Sequence, residues 1–406
     1  MTTSPALRRR RAARRLAALL VVALSSAACT QDAAAPPPAP RTSTVTTGAV
    51  ASQSRAAELQ AGLTYVLVER VYVTAAATSA VLASGGRVDQ PEVAAALEAL
   101  EVSSTSLAGV LEASVEARPP LLLALRTSDR AHVEHAVARS DADAAEVATA
   151  RAGLDRAQRE LSAVLRRVVP GLDAEEVTAR LLADLAAQLA ADGDEPYPAL
   201  RAAAVRARDT ARVLADGVAE DRQLGPSGTR AATLRSDLTA LLTEHQLLAG
   251  GLAHELAVAS GDGAGGDGGG ARSARTALDA NTLALSELFG RAYPAVRAPF
   301  LRLWTGHVAL LGEYAAAVAS GESSSADGLH STPGTMSRLL AAHIDQLPVD
   351  RVAAELATTL DAQLVAVDAA ASGSRQAPTE LRRAAAAAPA PAALLAAAIA
   401  EHLGYS

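Results

Sequence analysis

Residues Leu238 to Leu252 read LTALLTEHQLLAGGL, an apolar stretch with one polar interruption, Glu244-His245. Leu234, Leu238, Leu241, Leu242, His245, Leu248 and Leu252 recur at intervals of three and four. That spacing lines one side of an α-helix, so the stretch predicts a core-facing helix with His245 on its buried stripe. A weaker copy stands 175 positions earlier, Leu63 to Ala77, LTYVLVERVYVTAAA. Leu63-Thr64 pairs with Leu238-Thr239 and Glu69 with Glu244, while Arg70 holds the place of His245.

Working outward, the same shift recurs. His132 pairs with His307, and LDAEEVTARLLADLAAQL from Leu172 pairs with LPVDRVAAELATTLDAQL from Leu347. The shift drifts to 178 at Leu100/Leu278 and to 181 at Leu200-Arg201/Leu381-Arg382, as loop insertions would produce. An ordered series of matches at one period is the signature of duplication. The expected fold is therefore all-α: two tandem antiparallel helical bundles, ferritin-like and up-and-down, at 57–222 and 233–406 with a linker at 223–232. Each copy is expected to hold five or six helices, at about 57–84, 91–114, 119–139, 141–168, 173–192 and 197–220 in the first. In the second they fall at about 233–259, 272–290, 299–319, 349–371 and 379–403, and the Ser/Gly-rich 320–334 leaves the fourth helix open.

Composition agrees with an all-α fold. Half of the 406 residues are hydrophobic but only 2% are aromatic, and alanine and leucine, both strong helix formers, dominate. All 37 basic residues are arginine, which excludes Schiff-base and P-loop lysine chemistry. Residues 1–28 carry six arginines and no acid, so the remainder carries 31 − 44 = −13. An acidic body with few aromatic residues argues against nucleic-acid binding.

The N-terminus carries an address. Arg8 to Arg15, RRRRAARR, precedes a nine-residue apolar run, Leu16 to Leu24, and then Ser26-Ala27-Ala28-Cys29. Nine apolar residues are too few to span a bilayer but suit an export signal. The ending resembles the lipobox of bacterial lipoproteins, with Ser26 where leucine is usual. The resemblance implies lipidation of Cys29, the chain's single cysteine, and residence at the outer face of the cell membrane. The alternative is an ordinary secretory signal cleaved after Ser-Ala-Ala, and the paired arginines also permit twin-arginine export. Residues 29–56, rich in Ala, Pro, Ser and Thr, read as a disordered tether. The expected partners are the membrane, through the lipid, and an unidentified protein or small molecule.

Candidate chemistry is confined to the second copy. Phe300, Leu303, Trp304, His307, Leu310, Leu311 and Tyr314 form a second helical stripe. Imidazoles converging from neighbouring helices can build a metal site, so His245 and His307, with Glu244 as the carboxylate, are candidate ligands of copper, zinc or iron. Glu313 and Asp361 are further carboxylate candidates, and His343 a third imidazole. The competing reading of a histidine on an apolar stripe is a packed core residue. His132 and His135, in HVEH, have chelate spacing but read as surface residues. Ser260 to Gly270 echoes calcium-binding repeats but reads as a loop. Glu-x-x-His, H-E-x-x-H, G-x-S-x-G and Walker A patterns are absent, so no enzyme and no cofactor are expected.

Leu241-Leu242-x-Glu244-His245, Ala277-Leu278-Asp279-x-Asn281-Thr282-x-x-Leu285, Leu303-Trp304-x-x-His307 and Leu360-Asp361-Ala362-Gln363 resemble a group of exported bacterial lipoproteins with duplicated helical bundles. Some members carry the label copper amine oxidase. That enzyme class is β-rich, with a tyrosine-derived quinone and three histidine ligands, and nothing in this chain matches it. Where the group has a histidine on the fifth helix, this chain has Thr358 or a neighbour.

Overall fold

The computed structural model describes residues 47–111, 117–191, 196–261 and 268–405. The export signal, Cys29, most of the expected tether and most of the glycine-rich tract lie outside them. Every regular element among the described residues is an α-helix.

The first half contains α1 (Thr47–Ser52), α2 (Arg55–Ala83), α3 (Pro91–Val110), α4 (Arg118–Ser140), α5 (Ala144–Val168), α6 (Ala174–Ala190) and α7 (Pro196–Asp221). The second contains α8 (Arg230–Gly261), α9 (Gly269–Ala292), α10 (Pro294–Ala319), α11 (Asp327–His330), α12 (Thr332–Ala341), α13 (Val349–Ala371), α14 (Ala377–Ala387) and α15 (Pro389–Leu403). The starts follow sequence chemistry. The Ser54 hydroxyl accepts from Ala57 N at 3.2 Å, and the Asp143 and Asp173 carboxylates accept from two amides each at the heads of α5 and α6. Each cap satisfies donors that an α-helix leaves free in its first turn. Pro91 and Pro294 open α3 and α10, where a missing N–H costs nothing.

Two expectations need revision. The helix expected over 379–403 is two helices broken at Ala388, because Pro389 lacks the amide and crowds the carbonyl one turn back. The tether was expected to be disordered as far as 56. From Thr47 it is instead α1, packed on α15 and α8, with Ala49 and Ser52 buried. Small residues allow the approach: a Cβ on Gly48 would stand 2.3 Å from the Ala400 carbonyl oxygen. The open fourth position of the second half is filled by the short α11 and the longer α12.

Helix α8, which carries the opening stretch, is the hub. It packs against α1, α2, α7, α9, α10, α13, α14 and α15. The largest core cluster draws Val68, Val71 and Tyr72 from α2 and Leu200 from α7 together with Leu238, Leu248, Phe289 and Phe300 of the second half. A separate cluster, including Leu63, Leu125, Leu165 and Leu214, fills the first half. The Thr64 and Ser236 hydroxyls meet at 2.7 Å, and the Tyr72 hydroxyl donates to Glu244 at 3.2 Å. Both contacts join residue i to residue i+172, so α2 and α8 run parallel. The Arg201 guanidinium of α7 reaches Glu244 of α8 at 3.3 Å, and Arg382 of α14 reaches Glu69 of α2 at 3.0 Å. Each half thus sends an arginine from a late helix to a buried glutamate on the other half's first long helix.

Three segments, Arg55–Ala83, Pro91–Val110 and Ala377–Leu403, are long and apolar enough to cross a membrane by length and composition. Alanine packing within the protein accounts for much of that apolarity: 50% of the α2 window is buried, and Glu69 and Arg70 lie mid-helix.

Candidate functional sites

The helical period brings His245 and His307 together. His245 on α8 and His307 on α10 are 1% and 5% exposed, and their ring centroids stand 5.5 Å apart. The Trp304 ring lies 5.0 Å from each, one turn before His307 on the same helix. The three rings face a small cavity of about 30 Å³ whose wall also includes Gln246, Met336, Thr359 and Gln363. No well-formed hydrogen bond reaches either ring nitrogen of His245, His307 Nδ1, Gln246 Oε1, Gln363 Nε2 or Trp304 Nε1, although Asn281 stands near the His245 ring and Gln363 near the His307 ring. So many orphaned polar atoms around one small space are uncommon in a protein interior.

Burial sets the charge of this site. Desolvation pushes the His245 imidazole down to about 3, with the neighbouring His307 ring adding to the shift and Asn281 opposing it. Desolvation lowers His307 to about 4, opposed by Gln363. Both rings are neutral at pH 7 and keep a lone pair.

Glu244 does not join them. Successive residues on a helix point about 100° apart, so Glu244 faces away from the cavity. Its carboxylate accepts from Asn281 Nδ2 at 2.7 Å, from Tyr72 and from Arg201. Glu313 and Asp361 are exposed, and Asp361 stands 3.7 Å from His330. His343 is half-buried in the turn after α12 and is not in the cavity wall. Among the described residues no three of His, Cys, Asp and Glu are grouped to hold a metal ion. Thr358 is exposed, and its neighbour Thr359 faces the cavity. Met336 was not singled out from the sequence. Its one available signal is that it is the only methionine beyond Met1.

At the place of His245 in the first half, Arg70 pairs with the buried Asp129 carboxylate and donates to Ser104 at 2.7 Å, while Ser104 donates to Asp129 at 2.6 Å. Burial raises Asp129, and Arg70 opposes the shift. An arginine in the core is thus matched by an acid.

A second and larger site lies between the halves, a cleft of about 630 Å³. Its walls come from α2, α3, α4, α6 and α7 on one side and α8, α13 and α14 on the other. His132 and His135, expected on the surface, are 5% and 8% exposed and line this cleft. Helices α2, α3 and α5 pack against α4. His132 Nδ1 is 2.9 Å from the Ser128 carbonyl, which it can reach only as donor, leaving Nε2 as a buried acceptor near Gln188. Burial lowers His132 to about 4, the Ser128 carbonyl opposing. Tyr197 donates to Glu255 at 3.0 Å on the opposite wall. Arg87, Arg139 and Arg375 stand in the lining with Glu92 and His254.

No known protein family matches this chain, and no curated protein or solved structure shows significant similarity to it.

Proposed function

We propose that the chain is an exported lipoprotein, held at the outer face of the cell membrane through Cys29, that binds a small amphipathic anion and catalyses no reaction. The observation that carries this reading is the cleft of about 630 Å³ between the halves. Its size suits a small molecule, and its walls are mainly apolar with a few convergent polar groups, the usual make-up of a ligand site. Among the described residues, Arg87 and Arg375 in the wall favour an anionic head group. The cleft joins what we read as two duplicated up-and-down bundles. The reciprocal pairs Arg201–Glu244 and Arg382–Glu69, at positions matched by the sequence period, support duplication. The resemblance of short motifs such as Leu303-Trp304-x-x-His307 to exported helical-bundle lipoproteins fits the same reading.

Anilinonaphthalene sulfonate, an apolar anion, tests the cleft. Its fluorescence rises on binding to the native protein, and Ser79→Trp, which places a bulky ring at an exposed wall position, abolishes the rise. Equal binding by that variant would remove the cleft from the proposal. For the anchor, Cys29→Ser moves the protein from the membrane fraction to the soluble one, and unchanged fractionation would defeat the lipid reading. A second reading, a transition-metal site at the core histidines, is favoured by the 5.5 Å approach of the two rings.

A further inference from the structure

We propose that His245, His307 and Met336 form a buried copper(I) site. The inference rests on the metal reading of the histidine pair and gives it an ion and a third ligand. All three side chains line the same cavity of about 30 Å³, and each is no more than 5% exposed. That volume exceeds what one water-sized sphere needs, so a single ion fits. Each histidine has a buried ring nitrogen that no well-formed hydrogen bond reaches.

The donor set selects the ion. A thioether beside two imidazoles is soft and neutral, the combination that prefers copper(I). Zinc and iron(II) would bring a double charge into a buried site without a carboxylate or thiolate to offset it. The Born cost of burying an ion grows with the square of its charge, so a divalent ion pays about four times the desolvation of a monovalent one. Glu244 cannot supply the missing charge, since Tyr72, Arg201 and Asn281 engage it. Copper(I) tolerates few ligands and a single positive charge. Trp304, 5.0 Å from both imidazole rings, presents its π-system to the same space and can add a cation–π contact.

Trp304 is the chain's one tryptophan, so its fluorescence reports this site alone. The test uses the full chain carrying Cys29→Ser, which removes the single thiol and its own affinity for copper(I). Copper(I) is added under ascorbate with bicinchoninate as competing chelator. One ion per chain is retained, Trp304 emission is quenched with an end point at one equivalent, and X-ray absorption shows one sulfur neighbour. Met336→Leu, close in volume and therefore compatible with folding, weakens retention at least tenfold and removes the sulfur signal. His307→Gln abolishes retention. Unchanged affinity in Met336→Leu overturns the site as drawn. Tighter retention of zinc than of copper(I) overturns the ion while leaving a metal at the histidines, and failure to retain either ion defeats both.

Discussion

Histidine 132 shows how far a single side chain departs from its sequence appearance. Its spacing from His135 fits an exposed pair, yet with α2, α3 and α5 packed on α4 both are buried. Burial also fixes the sign of its pH dependence. The folded-state value of about 4 lies below the ordinary 6.5, so as pH falls the unfolded chain takes up the proton first. The stabilisation is complete above pH 6.5 and is lost progressively toward pH 4. Between pH 7 and 4.5 the loss is about 2–3 kcal/mol. Asp184 acts in the opposite sense, because burial raises it to about 6, so one variant compared with its parent isolates the histidine. His132→Asn should lose less urea stability than the parent over that pH interval, by roughly the same 2–3 kcal/mol. Parallel losses in the two proteins would show that His132 does not carry the effect. The same reasoning shows what a sequence can give at this level. The stripe placed His245 and His307 in the core, since period alone determines which side of a helix is buried. Glu244 was expected beside them, and the 100° step between neighbours takes it elsewhere. Met336 joins from a segment 91 positions beyond His245, on a short helix with no periodic signal, so only the three-dimensional path brings it near.

Helix α8 owes its central place to Gly250-Gly251 at the end of the opening stretch. A Cβ at Gly251 would stand 2.5 Å from the Tyr197 ring of α7, and one at Gly250 would stand 1.8 Å from Leu381 Cδ2 of α14. The two glycines let late helices from both halves lie against α8 at one level. Gly251→Ala should therefore destabilise by about 1–3 kcal/mol through overpacking, even though alanine favours a helix interior by up to about 1 kcal/mol. Gly306→Ala, on α10 with nothing within 4 Å of the added carbon, should gain up to about 1 kcal/mol. Thermal midpoints of the two variants should move in opposite directions, and a shared direction would contradict the packing argument. Helix positions were largely legible beforehand, because apolar spacing, caps and prolines are local signals. The break at Ala388 was lost in an alanine-rich run where Pro389 and Pro391 were read through, and α1 was lost because its stability comes from α15 and α8, distant in sequence.

The two halves share one interior. Val68, Val71 and Tyr72 of the first half lie in the same cluster as Leu238, Leu248 and Phe289 of the second, and two buried ion pairs cross between them. Separating the halves would expose that apolar face and strip Glu69 and Glu244 of their arginines. The chain is thus expected to unfold in urea as one unit. Far-UV circular dichroism reports both halves and Trp304 fluorescence only the second, so their transitions should coincide. A circular dichroism curve with two steps, only one of them matched by Trp304, would show independent halves. The period of 175 read from the sequence suggests two modules, but a repeat does not say whether its copies pack side by side or apart.

The burial of α1 against α15 also sets a leash. If Cys29 carries a lipid, the free span ends at Thr47, where Gly48 meets Ala400, and not at the head of α2. Cys29 and Thr47 are 47 − 29 = 18 positions apart, a distance no chain can stretch beyond about 60 Å. A lipid on Cys29 would hold the α1–α15 side of the body within that distance of the bilayer.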